Sequence, residues 1–212
     1  MGTEAVIFDF DGVVGDTMHD NFRAWEKAFL DYDIKIDAID YFLMEGMGRY
    51  EIAAEFVEKN NLAKEIVNQL VQKKEDYYKQ ENNFSVYNEI PELLESLSGK
   101  GIKIGLVTGA SRDRIENTLE QKLKKYFEVI ITSDEVTHCK PHPEPYLKAI
   151  AKINCNPANT IVIENAKLGI TAAKKAGCTC FAIETTLGRE YLTEADIIFE
   201  THQQIFNHFN KV

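Results

Sequence analysis

Nowhere does the chain carry the roughly 18 consecutive apolar residues that a membrane-spanning helix needs. Its first residues lack the basic and apolar regions of a signal peptide, because Asp9 and Asp11 interrupt them. A cytoplasmic protein without membrane contact is therefore expected. Positive charge is also scarce. Lysine and arginine total 24 against 34 acids, a net charge of −10 at pH 7. Such a chain is a poor partner for nucleic acid or an anionic membrane. Small anions would have to be held by local dipoles, a few basic side chains or a metal ion. The 4 cysteines, Cys139, Cys155, Cys178 and Cys180, lack paired zinc-finger spacing. The CTC stretch (178–180) is expected to put two idle thiols on one face of a strand, in a reducing compartment. Internal repeats and low-complexity segments are absent.

What remains is a chain of 212 residues, 44% of them hydrophobic, enough for one domain or one domain with a smaller insert. Short β-branched runs predict strands at 5–10, 102–108, 128–133, 160–164, 180–184 and 195–200. They are nearly continuous in apolar character, as parallel strands covered on both faces are. Helical patterns at 90–97, 112–125, 144–152 and 168–176 alternate with them. The fold class is therefore α/β, a doubly wound Rossmann-like parallel sheet whose ligand lies beyond the carboxyl ends of the strands. Between 17 and 84 no strand is predicted. Met18, Phe22, Trp25, Phe29 and Tyr32 share one helical face, and further helices are expected over 50–58 and 64–80. The expected division is a core of 1–16 and 85–212 with a helical insert of 17–84, and a return linker at 81–91.

Chemistry-bearing residues stand where the strands run out. FDFDG places Asp9 and Asp11 two apart, and Gly12 lets the backbone turn sharply toward a ligand. One acid could attack an electrophile while the other moves a proton. A plain turn, with Asp16 or Thr17 capping the next helix, is also open on these residues alone. VTGAS (107–111) ends the second strand on Thr108. KPHPEPYLKA (140–149) sets Lys140 before a proline-rigid helix entry. IENAKLGITAAKKAG (163–177) ends another strand on Glu164 and Asn165, oxygen donors suited to a hard cation.

In order and spacing, these four segments resemble the haloacid dehalogenase-like hydrolase superfamily. The place of the insert is similar to the subfamily with a small helical cap, which includes β-phosphoglucomutase and many sugar-phosphate phosphatases. The resemblance implies a nucleophilic Asp9 that takes the phosphoryl group as an aspartyl phosphate. It implies that Asp11, protonated at the outset, serves the leaving oxygen and then water. Thr108 and Lys140 would hold the phosphoryl oxygens, with Gly12, Gly109, Ala110 and Ser111 lining the substrate. Mg²⁺ would sit on Asp9, the Asp11 carbonyl, Glu164 and Asn165. An acid is commoner than an amide at the last of these.

In the insert, EGMGRYE (45–51) resembles the cap loop that reaches the active site, and Arg49 falls where the mutases grip a second phosphate. Asn21 replaces a histidine that the mutases carry, and Ser111 and Arg112 replace their Lys-Asn pair. His19, His138 and His142 show no metal spacing and read as solvated or loop residues. The leading expectation is a Mg²⁺-dependent phosphatase of a small phosphorylated metabolite, a sugar phosphate being one candidate, in a monomer or weak oligomer. A phosphomutase is the first alternative, and a non-catalytic phosphometabolite-binding protein the second. Retention of Asp11 disfavours a dehalogenase or a phosphonatase.

Overall fold

A computed structural model describes residues 2–210. Six strands form one parallel sheet: β1 (Ala5–Phe8), β2 (Lys103–Val107), β3 (Val129–Ile131), β4 (Thr160–Glu164), β5 (Thr179–Ile183) and β6 (Ile197–Phe199). Their order is β3-β2-β1-β4-β5-β6, and every neighbouring pair is parallel. Strand periodicity divides the side chains between two cores. Ala5, Ile7, Val162, Cys180 and Ala182 face α8 (Glu144–Ile153) and α9 (Lys167–Lys175). Val6, Phe8, Ile161, Ile163, Phe181 and Ile183 face α5 (Ile90–Gly99), α6 (Arg112–Thr118) and α10 (His202–Phe209). Cys178 and Cys180 are both buried in the first core, on one face as expected, and all four thiols are free. No helix is long and apolar enough to cross a membrane among the described residues.

Between β1 and α5 the chain is helical: α1 (Met18–Leu30), α2 (Ala38–Phe42), α3 (Arg49–Lys59) and α4 (Val67–Glu81). Aromatic side chains cement them. Trp25 stacks on Phe29 at 5.5 Å, and Phe29 meets Phe56 at 4.9 Å. The chain enters and leaves this segment side by side. Gly15 pairs with Val86, Asp16 N–H donates to the Ser85 carbonyl at 2.9 Å, and Phe84 stacks on Phe10.

Three elements depart from expectation. The helix over 112–125 breaks at Leu119 and Glu120, both extended, giving α6 and α7 (Gln121–Lys124). The break lets Leu119 and Leu123 both reach the core. Five-residue α2 is too short to show a period and is held by its Asp37 cap on the Ile39 amide. Helix α10 was not anticipated, because His202 and Ile205 are its only fully buried residues.

His202 marks how this last helix is fixed. Its Nε2–H donates to the Val13 carbonyl at 2.7 Å, and its ring stacks on Tyr87 at 4.2 Å. Burial lowers its pKa below the ordinary value of about 6.5. The neutral ring therefore stabilises the fold above that value. As pH falls below it, the unfolded chain takes up the proton first, so stability is lost. Urea unfolding should show wild-type stability falling with pH from about 6.5 downward. His202→Gln should have a flatter profile in that window. Parallel profiles would mean the ring protonates without cost.

Candidate active site

The predicted site residues meet at the carboxyl edge of the sheet. Asp9 follows β1, Thr108 follows β2, Glu164 closes β4, and Lys140 comes in on the loop before α8. Strands β1 and β4 are neighbours from which the two halves of the sheet wind in opposite directions, so a crevice opens there.

Lys140 ties these ends together. Its Nζ donates to Asp9 Oδ1 at 2.5 Å and to Glu164 Oε1 at 2.7 Å, and all three side chains are buried. Glu164 is saturated: Tyr146 O–H donates to Oε1 at 2.6 Å, and the amides of Asn165 and Ala166 donate to Oε2. Burial raises the Asp9 carboxyl well above the usual carboxylate range, Lys140 opposes this, and Glu164 adds to it. Burial works against the charge on Lys140, yet Asp9 and Glu164 outweigh it and raise its pKa. The ammonium thus sits between two buried carboxyl groups, and with both ionised one negative charge is left over.

That imbalance suits a cation, and the structure offers a donor for one. Asn165 Nδ2–H donates to Thr186 Oγ1 at 2.8 Å, while Asn165 Oδ1 is buried with no hydrogen-bond partner. An orphaned oxygen of this kind is rare in a folded protein and asks for a ligand. Glycines make the space. Gly12 has φ +84°, and a Cβ there would lie 2.0 Å from Asn165 Nδ2. A Cβ at Gly169 would lie 1.8 Å from Glu164 Oε1. Asp9 and Asn165 thus offer oxygen donors of the kind that fits Mg²⁺. Glu164 has no spare lone pair while it holds Lys140.

Asp11 is engaged elsewhere. Its Oδ1 accepts hydrogen bonds from Thr17, from Asn21 at 3.0 Å, and from Arg114. Thr17 holds the N-cap position of α1 yet makes no side-chain cap, so the simple capping reading of this stretch does not describe it. Arg114, on α6, had not been anticipated. Its guanidinium also donates to Asn21 Oδ1 at 3.3 Å and to the Tyr78 hydroxyl at 3.0 Å, and it lies 4.3 Å over the Tyr78 ring. Its Nε is buried without a partner. Burial disfavours its charge, but Asp11 and its other neighbours raise its pKa further still. RDRIEN reads as solvated charge at a helix start. The only hint is that Arg114 lies one turn beyond Ser111, whose side chain caps the Arg114 amide.

Arg114 separates two spaces. Inside, a cavity of about 30 Å³ touches Asp11, Tyr41, Glu45, Arg49 and Lys74. Outside, between α4 and α6, a cleft of about 270 Å³ is lined by Glu75, Tyr78, Asn82, Phe84 and Asn117. Burial and Asp11 push the Glu45 carboxyl up, while burial lowers Lys74.

The loop at 45–48 does reach the sheet edge: Gly46 packs on the Lys140 stem, and Gly109 lies under the Met47 carbonyl. Arg49 borders the inner cavity, but its guanidinium is bonded to Ser133 Oγ at 3.2 Å and Asp134 at 3.3 Å. Gly109, Ala110 and Ser111 line the same cavity, and Ala110 N–H donates to Thr108 Oγ1 at 3.0 Å. Arg112 turns away to Glu135 and the Ile130 carbonyl. His138 and His142 are exposed, as expected, but they stand together with Glu144.

Residues 6–183 match the family model described as haloacid dehalogenase-like hydrolase. The validoxylamine A 7'-phosphate phosphatase of Streptomyces hygroscopicus subsp. limoneus is 31% identical over 207 residues, 93% of each chain. The pyrophosphatase PpaX of Bacillus mycoides (strain KBAB4) is 37% identical over 108 residues, so that match spans half of each protein. Among solved structures, the β-phosphoglucomutase from Clostridium difficile superposes with a TM-score of 0.83 at 29% identity, covering 99% of this chain and 98% of that one.

The crowding at Gly169 gives a direct test of the lysine clamp. Gly169→Ala should displace the Glu164 carboxylate, and with it Lys140. Misplacing a reacting group by about 1 Å costs on the order of a hundredfold in rate. Steady-state turnover on a phosphoester should fall by about that factor, with the circular dichroism spectrum unchanged. Wild-type turnover would mean that Glu164 does not position Lys140.

Proposed function

Because the chain belongs to the haloacid dehalogenase-like hydrolase family, we propose that it is a phosphatase of a small phosphorylated metabolite, acting through Asp9 with Mg²⁺. The observation that carries this reading is the clamp at the β1 end. Asp9 is buried, aimed at a strand-edge crevice, and fixed by a lysine that Glu164 holds from behind. The named activities of the two phosphatase relatives, on validoxylamine A 7'-phosphate and on pyrophosphate, support the same chemistry on small phosphorylated compounds. A sugar phosphate is one candidate.

Thr108 and Lys140 would hold the phosphoryl oxygens while Asp9 attacks phosphorus, forming an aspartyl phosphate. Asp11 would then give a proton to the leaving oxygen and later take one from water. Bound Mg²⁺ would offset the repulsion between a carboxylate and a phosphate dianion. Asp9, the Asp11 carbonyl and Asn165 would hold it, while Glu164 keeps Lys140 in place. Asp11 must first leave Arg114, so the incoming leaving group has to compete for this guanidinium. The helical segment 17–84 acts as a cap that shuts water out.

The likeness to a β-phosphoglucomutase motivates a second reading as a mutase. That reading needs Arg49 for a second phosphate, whereas Arg49 is taken up by Ser133 and Asp134. A screen of phosphorylated metabolites in Mg²⁺, scoring free phosphate and isomerised product together, separates the two. Free phosphate is expected. No turnover of any phosphoester would leave a binding protein.

Asp9→Asn should abolish turnover without disturbing the fold, because an amide is a far poorer nucleophile. A purified variant with near wild-type activity would remove the aspartyl-phosphate route. The two arginines are expected to differ. Losing a buried, charge-assisted contact between Arg114 and the leaving group should cost about 1.5–3 kcal/mol, a tenfold to hundredfold loss of kcat/KM in Arg114→Ala. Arg49 is partly exposed, and its ion pair is worth about 1 kcal/mol or less. Arg49→Ala should therefore lose about fivefold at most. Kinetics of both variants on one substrate check this, and the reverse ranking would return the substrate-gripping role to Arg49.

A further inference from the structure

We propose that His138, His142 and Glu144 form a second metal site, on the outer side of the loop that carries Lys140, and that it takes a divalent transition ion of the zinc type. Among the described residues this is the one group of three such side chains whose ligand atoms all lie within 4.8 Å of one another. The site is distinct from the sheet-edge crevice. It is exposed, whereas Asp9, Asn165 and Glu164 are buried.

The geometry is partly formed. His138 Nδ1 lies 3.0 Å from Glu144 Oε2, and the two imidazole rings are 4.7 Å apart at 35°. In a tetrahedral zinc site, bonds of about 2.0–2.2 Å put neighbouring ligand atoms about 3.3 Å apart. The His138–Glu144 edge is already close to that. His142 has to move inward by no more than about 1.5 Å, which an exposed ring reaches by side-chain rotation. Its Nδ1 accepts from the Glu144 amide at 3.2 Å, so the lone pair that would bind an ion already lies beside Glu144.

Glu144 is held as a metal-binding carboxylate should be. The amides of Thr137 and His138 donate to its two oxygens at 2.7 and 3.0 Å. Those bonds, the Thr137 one foremost, hold its pKa below the usual carboxylate range, so it is ionised. Such outer contacts orient a ligand before the ion arrives.

The donor set chooses the metal. Two imidazoles and one carboxylate favour zinc, nickel or copper over magnesium, which prefers oxygen. Cys139 lies within the same loop but does not join. Its thiol packs toward Gly48, and burial with the Glu51 charge holds its pKa up at about 11. Three protein ligands leave the remaining positions to water.

An ion here closes a short ring around Lys140 and Pro141. It would pin the outer side of the loop whose inner side presents the ammonium to Asp9. The inference does not depend on the phosphatase reading, since binding and stability are read without substrate.

The test uses full-length protein saturated with Mg²⁺, so that the crevice is not the available site. Calorimetric titration with ZnCl₂ should show one Zn²⁺ per chain, and thermal unfolding should move upward with Zn²⁺. The double variant His138→Ala, His142→Ala should lose this binding event and the upward shift. Glu144→Gln, whose amide oxygen can still accept a backbone bond, should bind at least about tenfold more weakly. Co²⁺ supplies a direct readout of ligation: wild type should develop visible ligand-field absorption that the double variant lacks. Neither histidine belongs to the catalytic groups, so the double variant, in Mg²⁺ without zinc, should keep the wild-type circular dichroism spectrum and phosphatase activity, which confirms folding. Equal zinc affinity and stoichiometry in wild type and double variant would overturn the proposal, as would no zinc binding by the Mg²⁺-saturated wild type.

Discussion

Everything at the sheet edge depends on one buried ammonium shared by two carboxylates. A buried ion pair gives back in attraction roughly what it loses in desolvation, so position rather than stability is what it secures. The demands of Lys140 explain features that look unrelated. Tyr146 must be buried with its hydroxyl on Glu164. Two consecutive amides must converge on the far carboxylate oxygen. Helix α9 must bring a glycine against the same carboxylate, because any side chain there would collide with it. The rigidity that results is of the kind a preorganised electrostatic site requires.

Around this centre, the insert and the sheet are fastened by two arginines facing opposite ways. Arg114 stands on the sheet side and bonds to Asn21 and Tyr78 of the insert. Arg49 stands on the insert and bonds to Ser133 and Asp134 of the sheet side. Only Arg114 also touches Asp11, so one side chain bonds both to the insert and to the acid beyond the end of β1. The inner cavity is no larger than a water or two, so any organic leaving group must displace part of this arrangement.

Much of the site was legible because its residues break a pattern. Asp9, Thr108 and Glu164 are polar groups at the ends of apolar runs, and parallel strands deliver such ends to one edge. The parts that were missed obey their local pattern. Arg114 looks like any charge on a first helical turn, and its partner Asp11 lies 103 residues away. Nothing local says that Glu164 spends its lone pairs on a lysine, which leaves the free oxygen to Asn165. The break at Leu119 comes from packing, where two leucines need one core. Helix α10 buries too little to declare itself. His138, His142 and Glu144 straddle a turn and a helix start, where spacing along the chain does not report separation in space.

The two chain crossings between sheet and insert form a narrow ribbon, with Gly15 against Val86, Asp16 against Ser85, and Tyr87 N–H on the Val14 carbonyl at 3.1 Å. A pair of strands bonded edge to edge flexes across its flat face but resists shear along its length. The insert therefore joins the sheet through a single paired crossing, where the entering and leaving chain segments support each other. Arg114 on Tyr78 and Arg49 on Asp134 are two further ties between sheet and insert, so the insert is held at the ribbon and at both arginines.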